Sequence, residues 1–157
     1  MARSAPKIRK ALPGDAVAIK TLINGFAARG WMLPRSLSDI YEGIRDFWVL
    51  EDRGKVAGCV SLHICWENMA EVRSLAVGES HQKKGWGDAL VKTCFREAKR
   101  MGIKRIFTLT YIPAFFARRG FREIPKEELP HKIWQDCLNC PHFPGCKEIA
   151  MLRELKE

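Results

Sequence analysis

One stretch of the sequence constrains the fold more than any other. It combines an apolar strand pattern at 70–77, a polar loop at 78–84 and an amphipathic helical pattern at 85–101 that is closed by Gly102. A helix N-terminus presents unpaired backbone N–H groups and a partial positive charge, and glycines let an anion approach the main chain closely. The stretch therefore predicts a phosphate-binding site, at Gln82, Lys83, Lys84, Gly85, Trp86 and Gly87.

The spacing of these glycines does not fit two common phosphate-binding motifs. A P-loop needs a glycine separated by four residues from Gly-Lys-Ser/Thr, and a dinucleotide site needs three spaced glycines after a parallel strand. Lys83 and Lys84 add mobile positive charge beside the helix. This combination suits the pyrophosphate or ribose phosphate of a nucleotide carrier.

The other patterns predict an α+β chain with one mixed sheet and flanking helices. Asp15 is the expected N-cap of a first helix that stops at Gly30, and Ser36 or Ser38 is the expected cap of a second helix that ends at Ile44. A further short helix is predicted at 113–119. The predicted strands are 7–10, 47–50, 56–64, 70–77, 105–110, 121–124 and 149–155, with a hairpin turn at 52–55.

Length and composition favour one domain over 1–157, with a cysteine-containing excursion at 125–148. The chain has 157 residues, of which 46% are hydrophobic, and a formal net charge of +9. That charge is compatible with nucleic acid, an anionic membrane face or an anionic small molecule, and does not choose among them. Because no apolar run suits a bilayer span or a secretory signal, we expect a cytoplasmic protein without a membrane partner.

The motif at 82–87 resembles the acetyl-CoA motif of GNAT acetyltransferases, because Gln-x-x-Gly-x-Gly follows a strand that ends in Leu-Ala-Val. Residues 115–121 look like the late GNAT segment in which a short helix runs into Gly-Phe, so that the resemblance covers roughly 7–124. Within the superfamily, 33–36, 70–77 and 108–111 most resemble the acetyltransferase domain of N-acetylglutamate synthases in their short form. The resemblance implies the GNAT fold and acetyl-CoA as cosubstrate.

The resemblance also implies which residues hold acetyl-CoA. In GNAT enzymes the thioester lies where two parallel strands splay apart, and backbone groups there hold the pantetheine arm. In this chain the corresponding backbone belongs to Leu75, Ala76 and Val77. The other expected contacts are the motif from Gln82 to Gly87, Asp88 and Phe116.

Glu71 is the expected general base, since some GNAT members place a carboxylate there to deprotonate the amine directly or through water. The alternative is that Glu71 pairs with Arg73, or with a substrate ammonium, on the same strand face. Many GNAT members use a tyrosine as general acid where this chain has Phe116. Tyr111 is the available replacement, and a hydrogen-bonded core tyrosine is the alternative.

Arg35, Arg73 and Thr110 are the expected acceptor-binding residues. The planar guanidinium of arginine binds a carboxylate through two hydrogen bonds and keeps its charge when desolvated. Arg73 lies mid-strand, where a covered arginine needs a partner. Arg35 lies in a loop that resembles the acceptor-side loop of the family, and an ordinary surface arginine is the alternative there.

Cysteines crowd the C-terminal part of the sequence. Zinc would take three thiolates and one imidazole, from His142 or His131. A packed or redox-sensitive thiol cluster is the alternative, and we favour it because only one C-x-x-C pair is present. The zinc candidates are Cys137, Cys140, Cys146 and His142.

Together these features predict transfer of acetyl from acetyl-CoA to the α-amine of a small acidic amino acid, with L-glutamate expected, which is the first step of arginine biosynthesis. The alternatives are acetylation of another amine (another amino acid, a polyamine or a protein N-terminus) or a regulatory domain that binds CoA without turnover. A nucleic-acid-binding module would leave the helix-opening glycines unexplained. We expect a small-molecule partner and no nucleic acid, and a homodimer is compatible with the sequence.

Overall fold

A computed structural model describes residues 5–129 and 148–156, and its helices and strands follow the predicted order. The helices are α1 (Ala16–Ala27), α2 (Leu37–Glu42), α3 (Trp86–Arg100) and α4 (Pro113–Ala117). The strands are β1 (Lys7–Lys10), β2 (Phe47–Asp52), β3 (Lys55–Trp66), β4 (Met69–Val77), β5 (Arg105–Thr110), β6 (Arg122–Glu123) and β7 (Ile149–Glu154).

The strands form one mixed sheet in the order β1-β2-β3-β4-β5-β7-β6. Strand β4 pairs with β5 in parallel, whereas β1 with β2, β2 with β3, β5 with β7 and β6 with β7 are antiparallel. The prediction of an α+β chain with a mixed sheet is therefore confirmed. Residues Arg53 and Gly54 connect β2 to β3, and both have a positive φ, as a two-residue hairpin turn requires.

The start of each of the first two helices depends on one polar side chain. Ser36, and not Ser38, caps α2, since its Oγ accepts a hydrogen bond from the Asp39 N–H at 3.1 Å. Asp15 occupies the N-cap of α1 without a capping hydrogen bond to that helix. Its carboxylate instead binds the Arg9 guanidinium through both oxygens and accepts from the Leu12 N–H, and these contacts hold the pKa of Asp15 below its usual value.

The described residues group into two compact units, and strands β3 and β4 run through both. The first comprises 5–63 and Val72–Glu97. Its core packs α1 and α2 against apolar strand residues, and Ile19 and Ile23 of α1 are fully buried while Val17 is 58% exposed. The buried members of this cluster are Ala11, Ala16, Ile19, Ile23, Ile40, Phe47, Val49, Cys59 and Ala76.

The second unit comprises 64–71 and, in the described part of the chain, 98–129 and 148–156. Its core is formed by Met69, Phe107, Ile124, Leu129, Ala150 and Leu152. Most of the excursion predicted at 125–148 lies outside the described residues, and the single-domain prediction for 1–157 stays a prediction. Among the helices that the structure describes, none is both long and apolar enough to cross a membrane.

Candidate functional site

The N-terminus of α3 has the geometry of an anion site. The Ala89 N–H donates to the Gly85 carbonyl at 3.0 Å, so the N–H groups of Trp86, Gly87 and Asp88 precede the helical hydrogen-bond pattern. Gly85 has a φ of +88°, and a Cβ built on it would meet no atom within 4 Å. The main chain at Gly85 is therefore open to a close approach by a ligand.

The loop before α3 presents two exposed lysines, and a hydrogen bond closes the loop. Lys83 and Lys84 are exposed, and Lys83 has a φ of +63°. The Gln82 Nε2 donates to the Val77 carbonyl at 2.9 Å, so the first residue of the motif binds the end of β4. The Asp88 carboxylate, in the first turn of α3, binds Lys92 at 2.8 Å, which offsets its negative charge beside the lysines.

Contacts that sequence reasoning missed hold this loop against the β2–β3 hairpin and against the segment that follows α1. The His81 Nε2 lies 2.7 Å from Asp52 Oδ2, and the Gly78 N–H donates to the Ala57 carbonyl at 2.8 Å. Glu79 forms an ion pair with Arg29. Because these contacts join residues that are far apart in the sequence, no local sequence pattern predicts them.

Strand β4 contains a residue in an unusual conformation. Ser74 has a φ of +58°, which is left-handed and uncommon for any residue but glycine. Its Oγ accepts a hydrogen bond from Arg35 Nη1 at 3.1 Å, and its carbonyl accepts one from the Cys59 thiol at 3.3 Å. Arg73, Ser74 and Leu75 are all half-buried, so the alternation of a regular strand is interrupted here.

Arg35 is held at its backbone and at its guanidinium. Its N–H donates to Asn24 Oδ1 at 3.0 Å, and its carbonyl accepts from Asn24 Nδ2 at 3.2 Å. The guanidinium carbon lies 5.9 Å from the centre of the Phe47 ring. An arginine fixed in this way differs from an ordinary surface arginine, which would sample many rotamers.

The Cys59 thiol beside Ser74 is chemically inert in the folded protein. Burial raises its pKa to about 12, against smaller lowering effects of a backbone hydrogen bond at Ala76 and the positive charge of Arg35. The thiolate is the reactive form of cysteine, and it is scarce near neutral pH. Cys59 is therefore unsuited to act as a nucleophile.

The remaining predicted residues lie in the second unit. Glu71 is 9% exposed and stands opposite Phe107 in the parallel pairing of β4 with β5. At the end of β5, the Thr110 Oγ1 accepts from the Ile112 N–H at 2.9 Å, and Tyr111, the next residue, is half-buried. The Thr110 hydroxyl thus shapes the turn that leads to α4.

Phe116 is 4% exposed and belongs to an aromatic cluster in α4 and the turn after it. Its ring packs edge-on against Phe115 at 5.1 Å and against Phe121 at 5.3 Å, measured between ring centres. These are the favoured geometries for aromatic pairs. Phe116 therefore contributes packing, and it has no hydroxyl with which to donate a proton.

The proposed metal ligands cannot be placed. Cys137, Cys140, Cys146 and His142 lie outside the described residues, so the choice between zinc and packed thiols stays a prediction. Within 5–129 and 148–156, no group of three or more His, Cys, Asp or Glu residues could hold a metal ion.

A model of the acetyltransferase (GNAT) family matches residues 23–121. The chain is 43% identical to an uncharacterized N-acetyltransferase of Chlorobaculum tepidum, over 94% of this chain and 96% of the relative. It is 38% identical to an amino-acid acetyltransferase of Mycobacterium tuberculosis, over 83% of this chain and 76% of the relative.

A solved structure leads to the same family. The fold resembles N-acetylglutamate synthase from Neisseria gonorrhoeae, crystallised with coenzyme A and N-acetyl-glutamate, with a TM-score of 0.89 and 29% identity. The match covers 99% of this chain but only 36% of the synthase chain. From the family match, the relatives and the fold together, this chain belongs to the GNAT family of acetyltransferases.

Proposed function

We propose that this chain transfers the acetyl group of acetyl-CoA to the α-amine of a small acidic amino acid, with L-glutamate as the acceptor. The observation that carries the choice of an acidic acceptor is the arginine fixed at Ser74, because an immobilised guanidinium suits a carboxylate. The names of the Mycobacterium tuberculosis and Neisseria gonorrhoeae relatives support an amino acid as acceptor. A place in arginine biosynthesis belongs to the same proposal.

The residues at the start of α3 fit the pyrophosphate of acetyl-CoA. Open space beside Gly85 would admit phosphate oxygens to the backbone N–H groups, and the exposed Lys83 and Lys84 would balance their charge. Backbone groups of Leu75, Ala76 and Val77 would hold the pantetheine arm. Acetyl-CoA, when bound, would supply an acetyl group activated as a thioester.

Glu71 is the proposed general base. An α-ammonium must lose a proton before its nitrogen can attack a carbonyl carbon, and a carboxylate can accept that proton directly or through one water. Glu71 precedes Ser74 by three residues on the same strand. The same carboxylate could instead hold the substrate ammonium without taking its proton, and kinetics separate these roles.

In this proposal, one side chain is the candidate donor of a proton to the departing sulfur. Phe116 lacks a hydroxyl, so Tyr111 would donate the proton, or the thiolate would leave unassisted. The absence of a hydroxyl at Phe116 also favours a second candidate function, a domain that binds CoA without turnover.

Arg35 and Arg73 would bind the two carboxylates of glutamate, and Thr110 would add a hydroxyl contact. Both arginines are half-buried, and the Nε of Arg73 is shielded from solvent. A partly desolvated guanidinium binds a carboxylate more strongly than an exposed one, because water competes less for both partners. Glutamine would leave a guanidinium poorly matched and should be a poor acceptor.

The deciding experiment measures thiol release from acetyl-CoA with L-glutamate, L-glutamine, L-lysine and a peptide with a free N-terminus. We expect kcat/KM for glutamate to exceed that for glutamine by about tenfold or more, since the amide cannot accept a charge-assisted pair of hydrogen bonds. Arg35→Lys should remove most of this preference although charge is retained. Faster release with lysine or the peptide would refute the glutamate assignment, and CoA binding without release for any amine would favour the second candidate.

A further inference from the structure

Asn24 makes an unusual pair of contacts. Its side-chain amide lies on α1 and bonds to both polar groups of the Arg35 main chain, accepting from the N–H at 3.0 Å and donating to the carbonyl at 3.2 Å. The amide thus satisfies the hydrogen-bonding groups of the Arg35 backbone in the way that a neighbouring strand would, with one bond to the N–H and one to the carbonyl. Asn24 fixes where the Arg35 side chain begins.

Ser74 fixes where that side chain ends. Its Oγ accepts from Arg35 Nη1 at 3.1 Å, and its φ of +58° turns its side chain away from the direction that regular strand backbone would give. A serine pays for this conformation in backbone strain, whereas a glycine at the same position would not. A serine hydroxyl therefore occupies a position where the backbone conformation alone would favour glycine.

Fixing both ends of a long side chain changes how it binds a ligand. A mobile arginine must lose its rotamer freedom each time a carboxylate binds, whereas a fixed one has already lost that freedom on folding. Pre-organisation of this kind raises affinity and selects for ligands whose carboxylate meets the guanidinium in one orientation. It requires no direct contact between the supporting residues and the ligand.

We infer that Asn24 and Ser74 are positioning residues that make Arg35 selective for an acidic acceptor. Asn24 holds the backbone of the loop at Arg35, and Ser74 orients the guanidinium of that residue. This inference rests on the proposed function and names the residues on which its substrate preference depends.

The first test is Asn24→Ala, with Thr21→Val as the control. Thr21 is exposed, lies on the same helix and bonds only within it, through its Oγ1 to the Val17 carbonyl. We expect Asn24→Ala to raise the KM for L-glutamate by about tenfold or more and to lower the glutamate-to-glutamine ratio of kcat/KM, while CoA binding by calorimetry stays unchanged. Thr21→Val should leave all three quantities at their wild-type values.

The second test compares Ser74→Ala with Ser74→Gly and covers the case in which Asn24→Ala does not fold. Both substitutions remove the hydroxyl, but only glycine relieves the left-handed backbone. We therefore expect the KM for glutamate to rise in both, while thermal stability is higher in Ser74→Gly than in Ser74→Ala. A purely structural serine would give a more stable glycine variant with an unchanged KM.

The outcomes separate this inference from the proposed function. If the wild-type protein releases no thiol with any acidic amino acid, the proposed function fails and the inference fails with it. If the wild type acetylates glutamate but both Ser74 variants keep the wild-type KM and selectivity, the inference is overturned and the proposed function stands. A rise in KM of the same size in Thr21→Val would also overturn it.

Discussion

Replacing Gly85 by alanine tests the anion site at the start of α3 most directly. Gly85 has a φ of +88° and Gly102, just beyond the other end of the helix, has a φ of +77°. A Cβ on either glycine would meet no atom within 4 Å, so neither substitution creates a clash. The two variants are therefore matched in backbone strain and differ only in which end of the helix they alter.

The magnitudes follow from this match. Left-handed backbone destabilises an L-residue by roughly 1–2 kcal/mol. The lower conformational entropy of the unfolded chain with alanine offsets about 0.4–1 kcal/mol of this. Each variant should thus lose about 1 kcal/mol of stability, or roughly 2–4 °C in Tm for a chain of this size. Only in Gly85→Ala should the new Cβ fill the space through which phosphate oxygens reach the backbone N–H groups. The lost charge-assisted hydrogen bond is worth about 1.5–3 kcal/mol, or roughly tenfold to a hundredfold in affinity for CoA.

The assay is calorimetric titration with CoA, which binds without turnover, combined with thermal unfolding. Gly85→Glu should bind CoA more weakly still, since like unit charges about 4 Å apart repel by about 1–4 kcal/mol between bulk water and a protein surface. Gly102→Glu is its control. Equal CoA affinity for Gly85→Ala and Gly102→Ala, in folded proteins, would refute the assignment of the site.

Two further predictions concern the base and the buried thiols. Glu71→Gln should lower kcat by about 10²–10⁴ with little change in CoA affinity, and the activity of the variant should recover partly at higher pH. A change confined to the KM for glutamate would instead assign Glu71 to substrate binding. Burial raises the pKa of Cys59 and Cys94 from 9.0 to about 12, so their contribution to stability is complete below pH 9 and is lost as the pH rises toward 12. Urea unfolding should show a lower free energy of unfolding at pH 10 than at pH 7, and the difference should be smaller in Cys59→Ala. The same difference in that variant would contradict a contribution from the Cys59 thiol.

Local patterns were sufficient to predict most of the fold. Strand β5 spans Arg105–Thr110, the range that the sequence predicts, and the turn at Arg53 and Gly54 follows from its residue types. Strand β6 was predicted at 121–124 and is limited to Arg122–Glu123. The short pairing of β6 with β7 involves only Arg122 and Glu123, and the strand's length depends on that tertiary contact rather than on its own sequence.

The candidate site could be predicted only in part. The helix that opens with glycines is a local feature that the sequence predicts, and a resemblance suggests the roles proposed for Glu71 and Arg35. The supporting contacts were missed because they join residues far apart in the chain: 11 positions for Asn24 and Arg35, 29 for Asp52 and His81, and 39 for Arg35 and Ser74. An asparagine on a helix and a serine in a strand carry no periodic signal of such pairing.

Backbone conformation identifies Ser74 as the more informative of these missed residues. Among the described residues, three that are not glycine have a positive φ, namely Arg53, Ser74 and Lys83. The hairpin turn demands the conformation of Arg53, and Lys83 lies in the loop that enters α3, where chain reversal accounts for it. Ser74 lies inside a strand, where no turn requires left-handed backbone, so its strain must be offset by what the conformation positions. The described contacts of Ser74 include those with Arg35 and Cys59. Because the Cys59 thiol is buried and its thiolate is scarce near neutral pH, we propose that the strain serves the placement of the Arg35 guanidinium.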